Sequence, residues 1–310
     1  QMCIRDSLKI YFIGMPMNML YNFSSALLRA VGDTKRPLYC LAAAGIINVV
    51  LNLVFVIGFS MSVAGVALAT IISETVSACL VTAMLVREKG ALHLDLHKLG
   101  FHAGALKQIL LIGLPAGLQS TVFSLSNVVI QSAINTLGTV AIAASSAAFN
   151  VEILAYDVLN SFSQACTTFV GQNYGAGKPD RVKKSYFISL AYSFGVGLAL
   201  GGGLFLFGRQ FLALFTTESA VIDAGMKRVG VMALAYCISA FMDCTIAASR
   251  GLGKTVVPTV IVIMGSCVFR VIWVYTIFAH FHTIPSLYLL YPCSWALTAI
   301  AEIFYFAHSY

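Results

Sequence analysis

Residues 42–59 read AAAGIINVVLNLVFVIGF. The run carries no charge, and its apolar residues do not alternate with polar ones. A strand of a membrane barrel alternates over about 10 residues. A buried strand of a soluble α/β protein is shorter, roughly 4–8 residues. An uninterrupted apolar run approaching the roughly 20 residues of a bilayer crossing is a transmembrane helix, because backbone polar groups in hydrocarbon must be bonded within the segment.

Working outward, the pattern predicts nine such spans, at about 8–30, 37–59, 62–87, 108–137, 139–171, 184–208, 228–250, 256–279 and 285–307. Composition agrees. The chain is 310 residues, 59% hydrophobic and 10% charged, with a mean hydropathy of +0.88. Soluble domains carry roughly 25% charged residues, so these charges cannot cover a soluble surface. The class is an all-α integral membrane protein, whose environment is the lipid bilayer. Gly197 and Gly201 in GLALG suit close helix contact. Eight cysteines are scattered without a C-x-x-C pair, and those inside apolar runs read as small hydrophobes rather than disulfides or zinc ligands.

Lys and Arg are unevenly shared between the loops. The loops after spans one, three, five and seven hold Arg29, Lys35, Arg36, Arg87, Lys89, Lys98, Lys107, Lys178, Arg181, Lys183, Lys184, Arg250 and Lys254. The opposite loops hold Arg209, Lys227 and Arg228. The positive-inside rule places the richer loops, and the C-terminus, in the cytoplasm. The net charge of +7 therefore reports orientation, not nucleic-acid binding.

Two of those loops are near copies. RAVGDTKRP at 29–37 returns as RGLGKTVVP at 250–258, so Arg29, Gly32, Thr34 and Pro37 match Arg250, Gly253, Thr255 and Pro258 at an offset of 221. Taken singly, such loops are ordinary helix-stop and helix-start chemistry. The shared offset spans six helices at about 37 residues each, connection included. An even number keeps both copies in one orientation, which is a parallel repeat. Two six-helix lobes follow, the first lacking about three helices, or about 110 residues on the same spacing. On this reading 1–7 is a non-native leader, 8–90 is the second half of an N-lobe, 91–107 is an inter-lobe linker, and 108–310 is a C-lobe. Upstream DNA is expected to encode the missing helices, and the 310-residue chain alone is expected not to transport.

With these residues in view, the chain resembles multidrug and toxic compound extrusion (MATE) transporters. The loops LRAVGDTKRP and RGLGKTVVP carry the resemblance, with GLPAGLQS at 113–120 and FVGQNYGAGKPDRVKK at 169–184. INVVLNLVFV at 47–56 and SVAGVALATIISE at 62–74 also fit. The resemblance implies two lobes around a central cavity. It implies a secondary active exporter in the plasma membrane, not an enzyme. Organic cations, drugs and other amphiphiles would leave against Na⁺ or H⁺ influx, without a cofactor, and the full-length protein is expected to be a monomer. A lipid-linked oligosaccharide flippase of the same superfamily is the alternative, but it would need several cavity arginines. A membrane-embedded lipid enzyme is the reading from a different class.

Charged side chains within spans are costly and therefore candidates for function. Glu152, Asp157 and Asp243 are the expected cation-coupling acids, with Arg270 as a charge partner that could also lock Glu152 or Asp243 in a structural pair. Carboxylates bind Na⁺ through oxygen, or take up H⁺ where burial disfavours the charge. Glu152, Tyr156 and Asn160, spaced by four, are placed on one helix face. Polar and soft residues of the spans are candidates for a substrate cavity: Asn18, Tyr21, Asn22, Asn48, Asn52, Gln119, Asn127, Gln131, Tyr156, Asn160, Tyr236 and Met242. For each one taken singly, an interhelical hydrogen bond is the competing role. RGLGKT lacks the upstream Gly of a phosphate-binding loop, having Ala248 there. No metal site is expected, although His93, Asp95 and His97 lie close in sequence.

Overall fold

The computed structural model describes residues 2–61, 63–89, 92–98 and 100–309, with 2–8 and 309 as backbone only. Among the described residues there are helices and no strand. They are α1 (Met2–Ala30), α2 (Lys35–Leu53, continued by a π-helical turn, Val54–Gly58) and α3 (Val63–Arg87). A short 3₁₀ turn, Leu96–Lys98, precedes α4 (Ala103–Thr136), α5 (Thr139–Gly175), α6 (Pro179–Ala213) and α7 (Ser219–Gly251). Then come α8 (Val256–Phe281) and α9 (Ile284–His308). Two π-helical turns interrupt α8, at Ile263–Val268 and Val274–Phe278.

Each helix coincides with an expected span, and α2 to α9 are all long and apolar enough to cross a membrane. α1 has the length, but Pro16, Asn18, Tyr21 and Asn22 dilute its apolar run, and it is not among those eight. Several helices begin before their apolar run. α4 starts at Ala103, α6 at Pro179 and α7 at Ser219, against expected starts of 108, 184 and 228. Hydropathy marks only the hydrocarbon part of a helix, whereas the helix continues into the headgroup region, where charge is tolerated. Corrections follow. Arg209, expected in a loop, is inside α6, and Lys227 and Arg228, also expected in a loop, are inside α7. The stretch 2–7, expected as a leader, continues α1 as backbone, and Gln1 lies outside the described residues.

The duplicated loop is duplicated in three dimensions. The amide of Gly32 donates to Arg29 O and that of Asp33 to Leu28 O. At the same offset Gly253 donates to Arg250 O and Lys254 to Ser249 O. This is the Schellman arrangement that ends a helix, and it needs a left-handed residue. Gly32 (φ +91°) and Gly253 (φ +78°) supply it without the penalty a Cβ would bring. Thr34 and Thr255 then precede α2 and α8, and Pro37 and Pro258 are buried in their first turns. The offset also carries α3 onto α9, each 25 residues long, and nearly superposes the π turn ending α2 on the second π turn of α8.

The chain divides into two compact units, residues 1–101 and 102–310. In the first, α3 packs against α1 and α2 around Leu28, Cys40, Val81 and Leu85. Arg36 of α2 pairs with Asp33 in the loop and with Glu88 just past α3.

In the second unit α7 is the most buried helix, packed by α5, α6 and α9. Its core includes Leu159, Leu204, Val229, Met232, Tyr236, Met242 and Trp295. α6 crosses α7 on small residues, as GLALG led one to expect. A Cβ on Gly201 would lie 2.0 Å from Ala233 O, and one on Gly197 would lie 3.4 Å from Tyr236 O. Replacing Gly201 by valine must push the two backbones apart. The expected result is a loss of about 3 kcal/mol or more, read as a collapsed melting transition in detergent. Gly202→Ala, with open space at its Cβ, should melt close to wild type. Equal melting of the two variants would refute the close crossing.

Candidate functional site

Helix α7 brings most of the interior charge of the second unit together. Two clusters lie along it. In the first, Arg228 reaches Glu152 on α5. Its Nη2 donates to Glu152 Oε2 at 2.6 Å, and its Nε lies 3.2 Å from both carboxylate oxygens. Nη1 donates to Ser145 O and to Tyr288 Oη, each at 3.1 Å. Tyr288 Oη shares a 2.6 Å hydrogen bond with Ser145 Oγ. Glu152 is 4% exposed and Arg228 8%. A forked, fully bonded arginine–carboxylate pair of this kind ties helices together strongly.

The expected pairing is thereby corrected, since Glu152 pairs with Arg228 and not with Arg270. The expected shared face of α5 is also split. Glu152 is buried, whereas Tyr156 and Asn160 are on the surface of the unit, as is Asp157. Over two helical turns the 3.6-residue period carries positions spaced by four about 80° round the axis.

The second cluster lies at the other end of α7. Asp243 is half-buried and, among the described residues, is held by no ion pair. Arg250 and Arg270 are near enough to act on it electrostatically. Arg250 Nη2 donates to Gln119 Oε1 on α4 at 2.9 Å, and Thr259 Oγ1 on α8 donates to the same oxygen at 3.3 Å. Arg270 is 1% exposed. Its Nε donates to Ser294 Oγ at 3.1 Å, and its Nη2 has no partner. The guanidinium lies over aromatic rings, with Cζ 4.5 Å from the centroid of Tyr291 and 5.1 Å from that of Phe123. Cation–π attraction of this kind stands in for a counter-ion in a desolvated setting. Arg270 is therefore a charge boxed by rings.

Of the other candidates in this unit, Tyr236 and Met242 are corrected from cavity lining to core. Asn127 and Gln131 lie on the surface, and Gln131 bonds Asn135 at 3.2 Å. In the first unit the polar candidates bond to one another and to their neighbours. Asn18 Nδ2 donates to Glu74 Oε1 at 3.1 Å, joining α1 to α3, and Asn22 reaches back to Asn18. Asn48 donates to Ser73 Oγ at 3.2 Å, joining α2 to α3, and Asn52 donates to Asn48. Tyr21 donates to Pro37 O. Asn18, Tyr21 and Asn48 thus bond between helices, and Asn22 and Asn52 bond within their own. In the 91–107 stretch, His93 bonds Glu88 O and Asp95 accepts from the backbone of His97.

Three ionisable residues of the spans were missed: Glu74, Arg228 and Glu302. Glu302 on α9 is 0% exposed, and neither of its oxygens has a hydrogen-bond partner among the described residues. Glu74 and Glu302 stand in the apolar runs TIISETVSA and LTAIAEIFYF, so the rule that singled out Glu152 applies to both.

The chain has known relatives. A family model described as MatE matches residues 3–54 and 115–276. "Probable multidrug resistance protein YoeA" of Bacillus subtilis is 27% identical over 82% of this chain and 56% of its own length. "Probable multidrug resistance protein NorM" of Thermotoga maritima is 27% identical over 83% of this chain and 56% of its own. The chain thus spans about half the length of the curated relatives it matches. A MATE crystal structure in complex with MaL6 superposes with a TM-score of 0.90 at 21% identity, covering 98% of this chain and 69% of the other. That likeness shows the fold.

Proposed function

The chain belongs to the MatE family, and from that premise we propose that this protein is a secondary active exporter of drugs, organic cations and other amphiphiles. Influx of Na⁺ or H⁺ drives it, with two six-helix lobes exposing a substrate cavity alternately to either side. It acts as a monomer in the plasma membrane with its C-terminus in the cytoplasm, the side assigned by the Lys and Arg of the odd loops. Lobe boundaries at 8–90 and 108–310, joined by the linker 91–107, complete the reading. Family members are transporters rather than enzymes, and the names of the curated relatives support small-molecule export.

One observation carries the coupling part of the reading. Asp243 is half-buried in the second unit and, among the described residues, has no ion-pair partner, whereas Glu152 is fully engaged. A carboxyl free to exchange its cation can change the preferred packing of a lobe, and a carboxylate locked to arginine cannot. Asp243 is accordingly the coupling acid, and Glu152 belongs to the framework. Asp157, on the surface of α5, is the reserve candidate. Tyr156, Asn160, Asn127 and Gln131 remain the cavity residues of choice in this unit. A flippase would need several free arginines, and the bonding of Arg228 to Glu152 removes one from that role.

The test is dye movement in proteoliposomes holding the protein expressed from its complete reading frame. An imposed Na⁺ or pH gradient should drive ethidium against its own gradient, and collapsing the ion gradient should stop it. Ethidium flux indifferent to both gradients would sink the antiport reading.

A further inference from the structure

Glu302 is the one acidic residue of α9, and its surroundings are unusual for an acid. Both oxygens are buried and unbonded. Arg250 of α7 is the charge that acts on it, and Arg250 also acts on Asp243. Arg250 is committed instead to Gln119. A carboxylate taken out of water without a donor costs several kcal/mol and neutralises where it can. Arg250 ends α7 and Glu302 lies six residues before the end of α9. The two helices run the same way and Tyr236 packs on Trp295, so Asp243 and Glu302, each seven residues further on, lie side by side in depth, about 10 Å in from the helix ends.

We propose that Glu302 is a second proton-binding carboxyl, beside Asp243 and sharing Arg250 with it. It rests on the coupling reading of Asp243 given above. Glu302 holds the proton in this conformation as a neutral acid. On release, the O–H bond breaks and the proton passes to water at the loop end. The carboxylate left behind gains Arg250, which gives up Gln119. Reprotonation from water reverses the exchange, and Arg250 stays charged throughout. The other groups facing α9 do not compete. From α8, Arg270 is turned to Ser294, two turns away on α9, and from α6, Tyr186 is bonded to Thr245.

Infrared difference spectra of the reconstituted protein across a pH titration test this directly. The wild type should show protonated-carboxyl C=O absorption near neutral pH. Glu302→Gln should remove one component and Asp243→Asn another, while Glu302→Asp should move the first without removing it. Glu302→Gln should also slow gradient-driven ethidium efflux about tenfold, with equilibrium ethidium binding unchanged. A Glu302→Gln spectrum identical to wild type would overturn the proposal. Loss of the component with efflux at the wild-type rate would overturn it too, leaving a structural acid. If the wild type moves no dye at all, the exporter reading fails, and the spectra still decide whether Glu302 carries a proton.

Discussion

Arg228→Met should unfold the second unit at a much lower temperature than wild type, with a loss of about 3–5 kcal/mol. The substitution keeps most of the side-chain volume but strands Glu152, which accepts three contacts from the guanidinium and is 4% exposed. It also leaves Tyr288 Oη and Ser145 O without their shared donor. Most of the cost is the uncompensated buried charge and not the value of the pair itself. The double variant Arg228→Met with Glu152→Leu should therefore recover most of the lost stability. Melting of the purified protein in detergent checks both statements. A single variant as stable as wild type would show that the pair holds nothing together. A double variant worse than the single would move the cost to Tyr288 and Ser145.

Asp243→Asn should abolish gradient-driven export, lowering it by on the order of 100-fold, while barely changing the melting temperature. Asparagine keeps the shape of aspartate but can no longer exchange H⁺ or neutralise Na⁺. Among the described residues no ion pair uses the Asp243 charge, and Arg250 and Arg270 are held by Gln119, Ser294 and aromatic rings, so the fold loses little with it. Arg228→Met and Asp243→Asn are thus expected to separate, one in stability and the other in coupling. Ethidium export and melting, measured on the same preparations, give that comparison. Full export by Asp243→Asn would pass the role to Asp157 or Glu302.

The helices were legible because most crossings are long, mainly apolar runs, and the two loops because Gly, Thr and Pro recur at one offset. The ends were less legible. MKRVGV at 226–231 looks like the edge of a span, so Arg228 was counted with the loop and its bond to Glu152 went unseen. No spacing within α5 or α7 announces which residue of the other helix it will meet. That depends on how α5, α6 and α9 gather round α7, which small residues such as Gly201 allow. Tyr236 and Met242 were misplaced for the same reason. Both are amphipathic or soft enough to line a cavity, and only the packing around α7 makes them core, Tyr236 against Trp295 of α9 and Met242 beside Ser266 of α8. Glu74 and Glu302 are different, since an intramembrane acid is visible in the sequence without any fold.

The π turns of α8 have a mechanical consequence. Each holds more residues per turn than the α-helix on either side, as an extra link does in a coiled chain. They bracket Phe269–Trp273, the short α-helical stretch that carries Arg270. If the surplus residue of one turn is handed to the other, both ends of α8 can stay anchored while the stretch between them screws round. One residue of slip is about 100° of rotation and 1.5 Å of travel. The two turns thus give α8 the slack of a bearing around the stretch that carries Arg270.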